Sequence, residues 1–282
     1  MLSARFEVME IRRCTFDNET ELQQLVDLQN EVYQKRGLHF TKDIFRYWYL
    51  DNPEGKVISY NAFDKGRLVA HQSFVPERML VDRQITRCVR SMAVVTHPDY
   101  RGKGLLSQLT NAALEYVKNE GYAFAYAVTN GNSVSSFVNH CGFSFVTRLH
   151  VKTGFGKNLT EDGKKTYRRF WSKESLKWRL RYGEYNRSDD VIIGKFKPGV
   201  NTFMGMMDPS LVDATEYKDR KIPCGINLYV GSGAKLPWSY WDVPKFIKHS
   251  PFNLVFRDLT GGTLPVMTKD NVFYQLIDFD VA

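Results

Sequence analysis

The sequence predicts a mixed α/β fold, and three features of its first half indicate this. Residues 56–95 contain three strand-like segments joined by turns, the first of them at Asp64-Lys65-Gly66. Segments on both sides of these strands carry apolar residues at helical spacing. Farther along, "YAFAYAVT" is apolar enough for a buried strand, and a helix and another strand follow it. The resulting order of strand, helix, antiparallel strands and strand-helix-strand is typical of a mixed sheet covered by helices.

The elements before these strands have recognisable ends. "FEVMEIRR" alternates between apolar and polar residues like a strand, and a helix is predicted over Glu19–Gln34. "TKDIFRYWYL" is predicted as a short aromatic helix because Thr41 is a good N-cap and Asn52-Pro53 stops it.

The elements after the strands follow in the same way. A helix is predicted after Gly104 with its end at residues 119–121, and another over Ser133–His140. "FSFVTRLHVKTGF" is predicted as a single strand.

Composition limits the class of protein. With 282 residues, 43% hydrophobic and 25% charged, the chain is long enough for one large or two ordinary globular domains. It has no apolar run of about 20 residues and no signal-peptide pattern, so neither membrane insertion nor export is expected. The four cysteines are scattered without a CxxC pair, which predicts reduced thiols in the cytoplasm and no metal site. The net charge of +8 favours anionic partners.

One segment of the second half has weak sequence similarity to a segment of the first half. "SKESLKWRLR", beginning at Ser172, repeats the order of residue types in "TKDIFRYWYL", which begins at Thr41, 131 residues earlier. Such a repeat indicates two related half-domains, although chance similarity over ten residues explains it equally well. The polar, Gly- and Lys-rich stretch 154–164 is predicted as the linker between a domain at 1–153 and a half-domain at 165–282.

The most informative segment is "THPDYRGKGLLSQL", in which Arg101-Gly102-Lys103-Gly104 opens a helix. The first turn of a helix presents unpaired N–H groups that carry partial positive charge. Glycines let this backbone approach a phosphate closely, and the arginine and lysine add two cations. The segment matches neither the Walker loop nor the GxGxxG fingerprint.

In this context the chain resembles the GNAT superfamily of acyl-CoA-dependent N-acyltransferases. "VVTHPDYRGKGLLSQL" is similar to the family's central motif, with Leu106 in place of the usual Gly or Ala. A second family segment is matched by "TNGNSVSSFVNHCGF". The resemblance extends over residues 60–150 and, less fully, over 7–60. It implies a GNAT fold, with a degenerate GNAT-like half-domain after it, and acyl-CoA as co-substrate.

The resemblance also implies a role for each matching position. The backbone near the end of the third strand would pair with the pantetheine arm, the amides of the glycine-rich loop would bind the pyrophosphate, and the second segment would lie against the thiol. The implied coenzyme A site consists of Val94, Thr96, Arg101, Gly102, Lys103, Gly104, Leu105, Leu106, Asn130, Ser133 and Phe137.

The catalytic groups are harder to assign. Direct acyl transfer to an amine requires removal of a proton from the attacking ammonium, and a proton donor helps the thiolate to leave. Many family members have a tyrosine as this donor where the present chain has Val138, and Tyr126, Ser135 and His140 are the alternatives. The base is expected to be His71, which titrates near neutrality, or the pair Asp278 and Asp280.

The acceptor is expected to be the primary amine of a small molecule. The chain resembles a bacterial subgroup linked to surface-polysaccharide synthesis, which implies a nucleotide-linked amino sugar. An aminoglycoside, a protein lysine, or an acyl-CoA sensor without turnover are the alternatives. Lys164 to Tyr182 mixes basic and aromatic residues, but these are equally typical of a helix surface and core, so no nucleic-acid partner is expected. The oligomeric state is open, a homodimer being one alternative.

Overall fold

The structure, a computed structural model, describes residues 9–181, 185–188, 192–196, 199–212, 218–219, 222, 224–244 and 251–279, and every structural statement below concerns these residues. It confirms the predicted mixed α/β fold. The α-helices are α1 (Glu19–Tyr33), α2 (Lys42–Tyr49), α3 (Leu105–Asn119), α4 (Val134–His140) and α5 (Lys173–Arg179). No helix in this described part is long and apolar enough to cross a bilayer.

The strands of the first half follow the predicted order. They are β1 (Glu10–Cys14), β2 (Ile58–Asp64), β3 (Arg67–Val81), β4 (Gln84–Thr96), β5 (Phe124–Thr129), β6 (Ser144–Arg148) and β7 (His150–Gly154).

The second half is made mostly of short strands. They are β8 (Thr160–Glu161), β9 (Tyr167–Arg169), β10 (Asn186–Ser188), β11 (Ile192–Phe196), β12 (Gly199–Met206), β13 (Lys218–Asp219), β14 (Gly225–Ser232), β15 (Ala234–Lys235), β16 (Tyr240–Asp242), β17 (Asn253–Asp258) and β18 (Val272–Gln275).

Sixteen of these strands form one sheet, and β8 and β15 form a separate pair. In the first half the order is β1-β2-β3-β4-β5-β17-β6, and all neighbours are antiparallel except β4 and β5. Strand β17 comes from the second half of the chain and lies between β5 and β6. Strand β9 joins the rest of the sheet by pairing with β3 on one side and β18 on the other. Strands from both sides of the predicted linker therefore share one sheet, and the domain boundaries stay a prediction.

The predicted helices have the expected capping residues. Asn18 Oδ1 accepts a hydrogen bond from Thr20 N at 2.8 Å at the start of α1, and Thr41 Oγ1 accepts one from Ile44 N at the start of α2. These contacts satisfy N–H groups that a helix cannot pair internally. Of the strand predicted from "FEVMEIRR" (6–13), residues 6–8 lie outside the described residues.

The single strand predicted over residues 143–155 is wrong, because two strands occupy it. Leu149 separates them and donates its backbone N–H to Phe252 O at 2.8 Å. Strand β6 pairs with β17, whereas β7 pairs with β14 and β16. Apolar and polar residues alternate irregularly on both sides of Leu149 with no turn residue between them, so the sequence carries no signal for this change of partners.

The two segments of the possible internal repeat contact each other. Thr41 caps α2 and Ser172 caps α5, so both start at the hydroxyl residue that the repeat aligns. Tyr47 and Trp178, which are also 131 residues apart, exchange hydrogen bonds: Trp178 Nε1 donates to Tyr47 O at 3.0 Å, and Tyr47 Oη donates to Trp178 O. A reciprocal contact between equivalent positions is typical of halves related by an approximate two-fold axis.

Candidate active site

The candidate site begins where two parallel strands separate. Strands β4 and β5 are paired at only three positions, and the last of them joins Arg90 to Tyr126. Beyond it, β4 continues to Thr96 and β5 to Thr129 without pairing with each other. Unpaired strand edges present backbone N–H and C=O groups to an extended ligand. The gap between the two strands is therefore a natural place for a linear molecule.

A β-bulge in β4 widens this gap. Ala93 has a positive φ of 53°, which is rare for a residue other than glycine, and the pairing of β3 with β4 shifts its register there. Two side chains of α1 hold the bulge: Gln29 Nε2 donates to Ala93 O at 3.0 Å, and Tyr33 Oη donates to Val94 O at 3.3 Å. Helix α1 therefore fixes the strand at the point where it leaves its neighbour.

A cavity of about 310 Å³ lies in this gap. Four residues that the two sequence motifs predicted for the coenzyme line it together, namely Val94, Asn130, Ser133 and Phe137. The cavity is otherwise lined by residues that sequence reasoning missed, which are Gln29, Tyr33, Leu38, Phe40, Trp48, Arg90, Ser91, Met92, Ala93, Ala127, Val128, Thr129 and Phe279. Of these residues, Trp48 could have been found from the sequence, because it belongs to the aromatic pattern of α2.

Asn130 also organises the local backbone. Its Oδ1 accepts hydrogen bonds from Asn132 N, Ser133 N and Ser133 Oγ at 2.9, 3.1 and 3.1 Å. These bonds shape the turn between β5 and α4. Phe137 is buried on the next turn of α4 and packs edge-on against Phe143 with ring centroids 5.1 Å apart.

The glycine-rich loop lies at the surface, outside the cavity lining. Gly102 and Gly104 both have positive φ, 76° and 72°, and Gly104 is the N-cap of α3 without any side-chain capping bond. Arg101 and Lys103 are exposed, Leu105 is buried and Leu106 is half-buried. The Arg101 Nε donates to Thr96 O at 3.3 Å, which ties the loop to the end of β4. The first amides of α3 thus face solvent beside two cations, an arrangement suited to a phosphate.

His71 is placed in the interior. Its Nε2 lies 2.8 Å from Tyr49 Oη and its Nδ1 lies 2.6 Å from Asn61 Oδ1, so both ring nitrogens have partners. Burial lowers the pKa of His71 to about 3, which keeps the ring neutral near physiological pH. His71 does not line the cavity.

Tyr126 is buried as well, and it forms a hydrogen bond with a carboxylate. Its hydroxyl donates to Glu77 Oε2, and its side chain does not line the cavity. Burial raises the pKa of Tyr126 well above its usual value, and the charge of Glu77 adds to this. The hydroxyl therefore remains protonated and engaged in the core.

Asp278 lies in a different cavity. Its Oδ1 accepts a hydrogen bond from Trp171 Nε1 at 3.1 Å, and its Oδ2 accepts one from Gln275 N at 2.7 Å. Burial raises the pKa of Asp278 to about 7. The residue lines a cavity of about 510 Å³ next to α5. Asp280 lies outside the described residues.

We expected one of the predicted bases to open into the cavity between β4 and β5, but neither His71 nor Asp278 lines it. Val138 packs against the apolar cluster beneath α3, and Ser135 and His140 are exposed on α4 away from the cavity lining. The residue types of these side chains can be read from the sequence, but burial and strand pleat decide which way each one faces.

A chain of buried charged side chains links this cavity to the cavity that Asp278 lines. Glu77 Oε1 accepts a hydrogen bond from Arg90 Nε at 2.9 Å, and Glu77 Oε2 lies 3.6 Å from Arg169 Nε. Burial alone would raise the pKa of Glu77, but the charges of Arg169 and Arg90 outweigh it and hold this pKa below the usual value. Glu77 is therefore ionised, and it joins Arg90 in one cavity to Arg169 in the other.

Comparison with known proteins agrees with this geometry. Residues 10–145 match the family model described as "Acetyltransferase (GNAT) domain". A search of curated proteins found no match. Among solved structures, a conserved protein of Enterococcus faecalis described as a probable N-acyltransferase has a TM-score of 0.59 at 11% identity, over 89% of this chain and 73% of that one.

Two further structures have a similar fold. A GCN5-related N-acetyltransferase from Kribbella flavida has a TM-score of 0.56 at 14% identity, over 90% of this chain and 72% of that one. One from Anabaena variabilis has a TM-score of 0.57 at 10% identity, over 89% and 74%. At such identities the likeness concerns the fold, and its coverage includes both halves of the chain. Over residues 10–145 the chain therefore matches a GNAT acetyltransferase domain, which supports an acyltransferase.

Proposed function

We propose that the protein transfers an acyl group from acyl-CoA directly to the primary amine of a small molecule. The observation that carries this proposal is the shared cavity of Val94, Asn130, Ser133 and Phe137. These residues come from two separate sequence motifs, and they meet where β4 and β5 separate.

The glycine-rich loop supports the same assignment. The amides from Arg101 to Leu106 would hold the pyrophosphate, because Gly102 and Gly104 leave the backbone uncovered and α3 has no side-chain cap. The pantetheine arm would follow the free edge of β4 at Val94 and Thr96. Arg101 and Lys103 supply positive charge at the surface end of this path.

The chemistry is a direct displacement. The amine nitrogen attacks the thioester carbonyl carbon, so that a C–N bond forms and the C–S bond breaks. One proton leaves the nitrogen and the sulfur leaves as a thiolate that is later protonated. A thiol with a pKa near the cysteine value of about 8.5 is a fair leaving group. Loss of a general acid costs roughly 10²–10⁴-fold, so transfer does not require the tyrosine that Val138 replaces.

For the base we propose Asp280, the remaining member of the predicted set. Replacement of Asp280 by Asn should lower kcat and remove the acidic limb of the pH–rate profile. An unchanged profile would instead favour a relay through water.

For the acceptor we propose a nucleotide-linked amino sugar. The net charge of +8 and the exposed cations of the loop favour anionic ligands. The cavity itself is the size of a small ligand, so the sugar amine would enter it and the nucleotide would remain at the mouth.

Release of free thiol from acetyl-CoA tests the proposal. UDP- and dTDP-linked amino sugars, an aminoglycoside, a polyamine and a lysine peptide would be compared at equal concentration. We expect the highest kcat/KM for a nucleotide-linked amino sugar. A higher value for the peptide would make the protein a lysine acetyltransferase and overturn the acceptor assignment.

A second candidate function is an acyl-CoA sensor without turnover. It is favoured by the placement of His71, Tyr126 and Asp278, none of which lines the cavity. A sensor would bind acetyl-CoA in calorimetry yet release no thiol with any amine, which distinguishes it from an enzyme.

A further inference from the structure

One cation lies at the inner end of the cavity. Arg90 is the last residue of β4 that pairs with β5, so it stands at the point from which the two strands diverge. It is only 4% exposed, yet its side chain lines the cavity. Among the described residues that line this cavity, it is the only one with a charge.

The position of Arg90 is fixed by Glu77. The Arg90 Nε donates to Glu77 Oε1 at 2.9 Å, and Glu77 is 4% exposed. Glu77 in turn accepts a hydrogen bond from Tyr126 on the neighbouring strand β5. The arginine is therefore held by β3 and β5 before any ligand arrives, and binding to it would require little loss of side-chain freedom.

Glu77 shares its single negative charge between two cations. Arg169 Nε lies 3.6 Å from its other oxygen, and Arg169 is also buried. Arg90 and Arg169 therefore share the one negative charge of Glu77, and Arg169 also acts on the buried carboxyl of Asp278. Excess buried charge is unfavourable in a medium of low dielectric, and an anion next to it is correspondingly stabilised.

The rest of the described cavity lining is uncharged, and it includes the polar side chains of Gln29, Ser91 and Thr129. Tyr33, Phe40, Trp48 and Phe279 contribute aromatic surface, and Met92 lies beside the guanidinium with its Sδ 3.9 Å from Arg90 Nη2. A planar guanidinium in an apolar wall matches the geometry of a carboxylate.

From this arrangement we propose that the part of the acceptor entering the cavity carries a carboxylate, and that Arg90 binds it. The inference rests on the proposed amine acylation, and it narrows the proposed amino-sugar acceptor to one whose sugar part carries a carboxylate. Arg90 acts as a substrate-binding residue, and Glu77 is a positioning residue that acts through it.

Pairs of acceptors that differ only in this group test the proposal. With acetyl-CoA held constant, ω-amino acids of two to six carbons would be compared with their primary carboxamides in the thiol-release assay. In the longer pairs the amine is far from the altered group, so its own reactivity is nearly equal. We expect kcat/KM for the acid to exceed that for the amide by about tenfold to a hundredfold, with an optimum at one chain length.

Variants assign this preference to Arg90. Arg90→Met should reduce the acid-to-amide ratio to about one, because it should lower kcat/KM far more for the acid than for the amide. It leaves Glu77 with Arg169 as a one-to-one pair, so we expect the variant to fold. Arg90→Lys keeps the charge without the planar fork and should give an intermediate ratio. Arg87→Met is the matched control, because Arg87 is exposed on the same strand and does not line the cavity.

Glu77→Asp tests the positioning role. It keeps the negative charge but draws Arg90 toward β3, so the acid-to-amide ratio should fall while thermal stability and acetyl-CoA affinity change little. A purely structural role for Glu77 would alter stability and leave the ratio as it is in the wild type.

The outcomes separate the two proposals. Equal rates for acids and amides in the wild type, or an unchanged ratio in Arg90→Met, would overturn the carboxylate site while the acyltransfer itself stands. If Arg90 instead selected the acyl donor, the wild type would prefer succinyl-CoA to propionyl-CoA whatever the acceptor. The carboxylate would then belong to the acyl group, and the proposed acceptor site would be overturned. Calorimetric titration of the CoA complex with the same acceptor pairs gives the ratio as binding constants, so the test holds even without turnover.

Discussion

At the scale of single residues, Gly104 is the loop position where we expect an added side chain to interfere with coenzyme binding. Its φ of 72° is in the left-handed region, and a Cβ there would contact only Gln108 Nε2 at 3.6 Å. Gly104→Val should therefore cost about 1–2 kcal/mol of backbone strain without unfolding the protein. The added side chain would cover the first amides of α3, so calorimetry should show acetyl-CoA affinity reduced by at least tenfold.

Gly121 provides the control for this prediction. It lies at the other end of α3 with a φ of 76°, and nothing is within 4 Å of a Cβ there. Gly121→Val should cost the same strain and leave acetyl-CoA affinity unchanged. If both variants bound acetyl-CoA as the wild type does, the loop would have no part in the phosphate site.

His71 should make stability depend on pH although it takes no part in the cavity. Its pKa is about 3 in the folded protein and about 6.5 when unfolded, so the unfolded state binds the extra proton below pH 6.5. The stability it contributes is fully present above pH 6.5 and is lost as the pH falls toward 3. Between pH 7 and pH 5 this single group should remove about 2 kcal/mol from the free energy of unfolding.

Urea unfolding of the wild type and His71→Gln at pH 7, 6 and 5 measures this effect. Glutamine retains hydrogen-bonding atoms but has no proton to gain, so the variant should lose about 2 kcal/mol less over that range. Parallel curves for the two proteins would show that another group controls the acid limb.

At the scale of elements, the contact between α2 and α5 couples the two parts of the chain. The rings of Tyr47 and Trp178 lie 5.3 Å apart, and each side chain donates to the backbone of the other residue. Trp178 is 9% exposed, so Trp178→Ala should reduce the free energy of unfolding by about 3–5 kcal/mol. Trp238 is 98% exposed and serves as the control, since Trp238→Ala should change it by less than about 0.5 kcal/mol.

A double-mutant cycle with Tyr47→Phe isolates the contact itself. Because the two residues share hydrogen bonds, we expect a coupling free energy of about 1 kcal/mol or more in denaturant unfolding. Additive effects would mean that α2 and α5 are stabilised independently.

Most elements of the first half could be predicted from the sequence because local signals fix them. Thr41 caps α2 as expected, Gly104 begins α3, and the apolar pattern of β5 is that of a buried strand. The insertion of β17 between β5 and β6 could not be predicted, since pairing between distant strands leaves no local pattern. The division of residues 143–155 into two strands was missed for the same reason.

The residues of the candidate site also fall into two groups, those that local motifs indicate and those whose place depends on the packing of distant segments. Val94, Asn130, Ser133 and Phe137 were found because they belong to short motifs whose spacing is fixed by one strand and one helix. Arg90 and Phe279 were missed because their place in the cavity depends on where β4 and β5 stop pairing and on how the second half packs. His71 and Tyr126 were chosen for their chemistry, which the sequence shows, whereas their burial is a property of the assembled sheet.

At the scale of the whole molecule, Gly233 is the residue that the predicted 131-residue repeat aligns with Gly102, and its surroundings are closed. Gly233 also has a positive φ, but a Cβ there would lie 2.4 Å from Val272 O, whereas Gly102 has nothing within 4 Å. The Gly233 carbonyl accepts a hydrogen bond from Asp162 N at 2.8 Å, and the short strand β15 follows it in place of a helix.

Around Gly233 the described residues form no open helix N-terminus, so this position lacks the amides and the space that a pyrophosphate needs. We therefore expect one molecule of acetyl-CoA per chain. Isothermal titration should give a stoichiometry of one, and Gly104→Val should weaken this single site without leaving a second, unaffected one. A stoichiometry of two, or half of the binding signal retained at wild-type affinity in Gly104→Val, would show that the second half also binds the coenzyme.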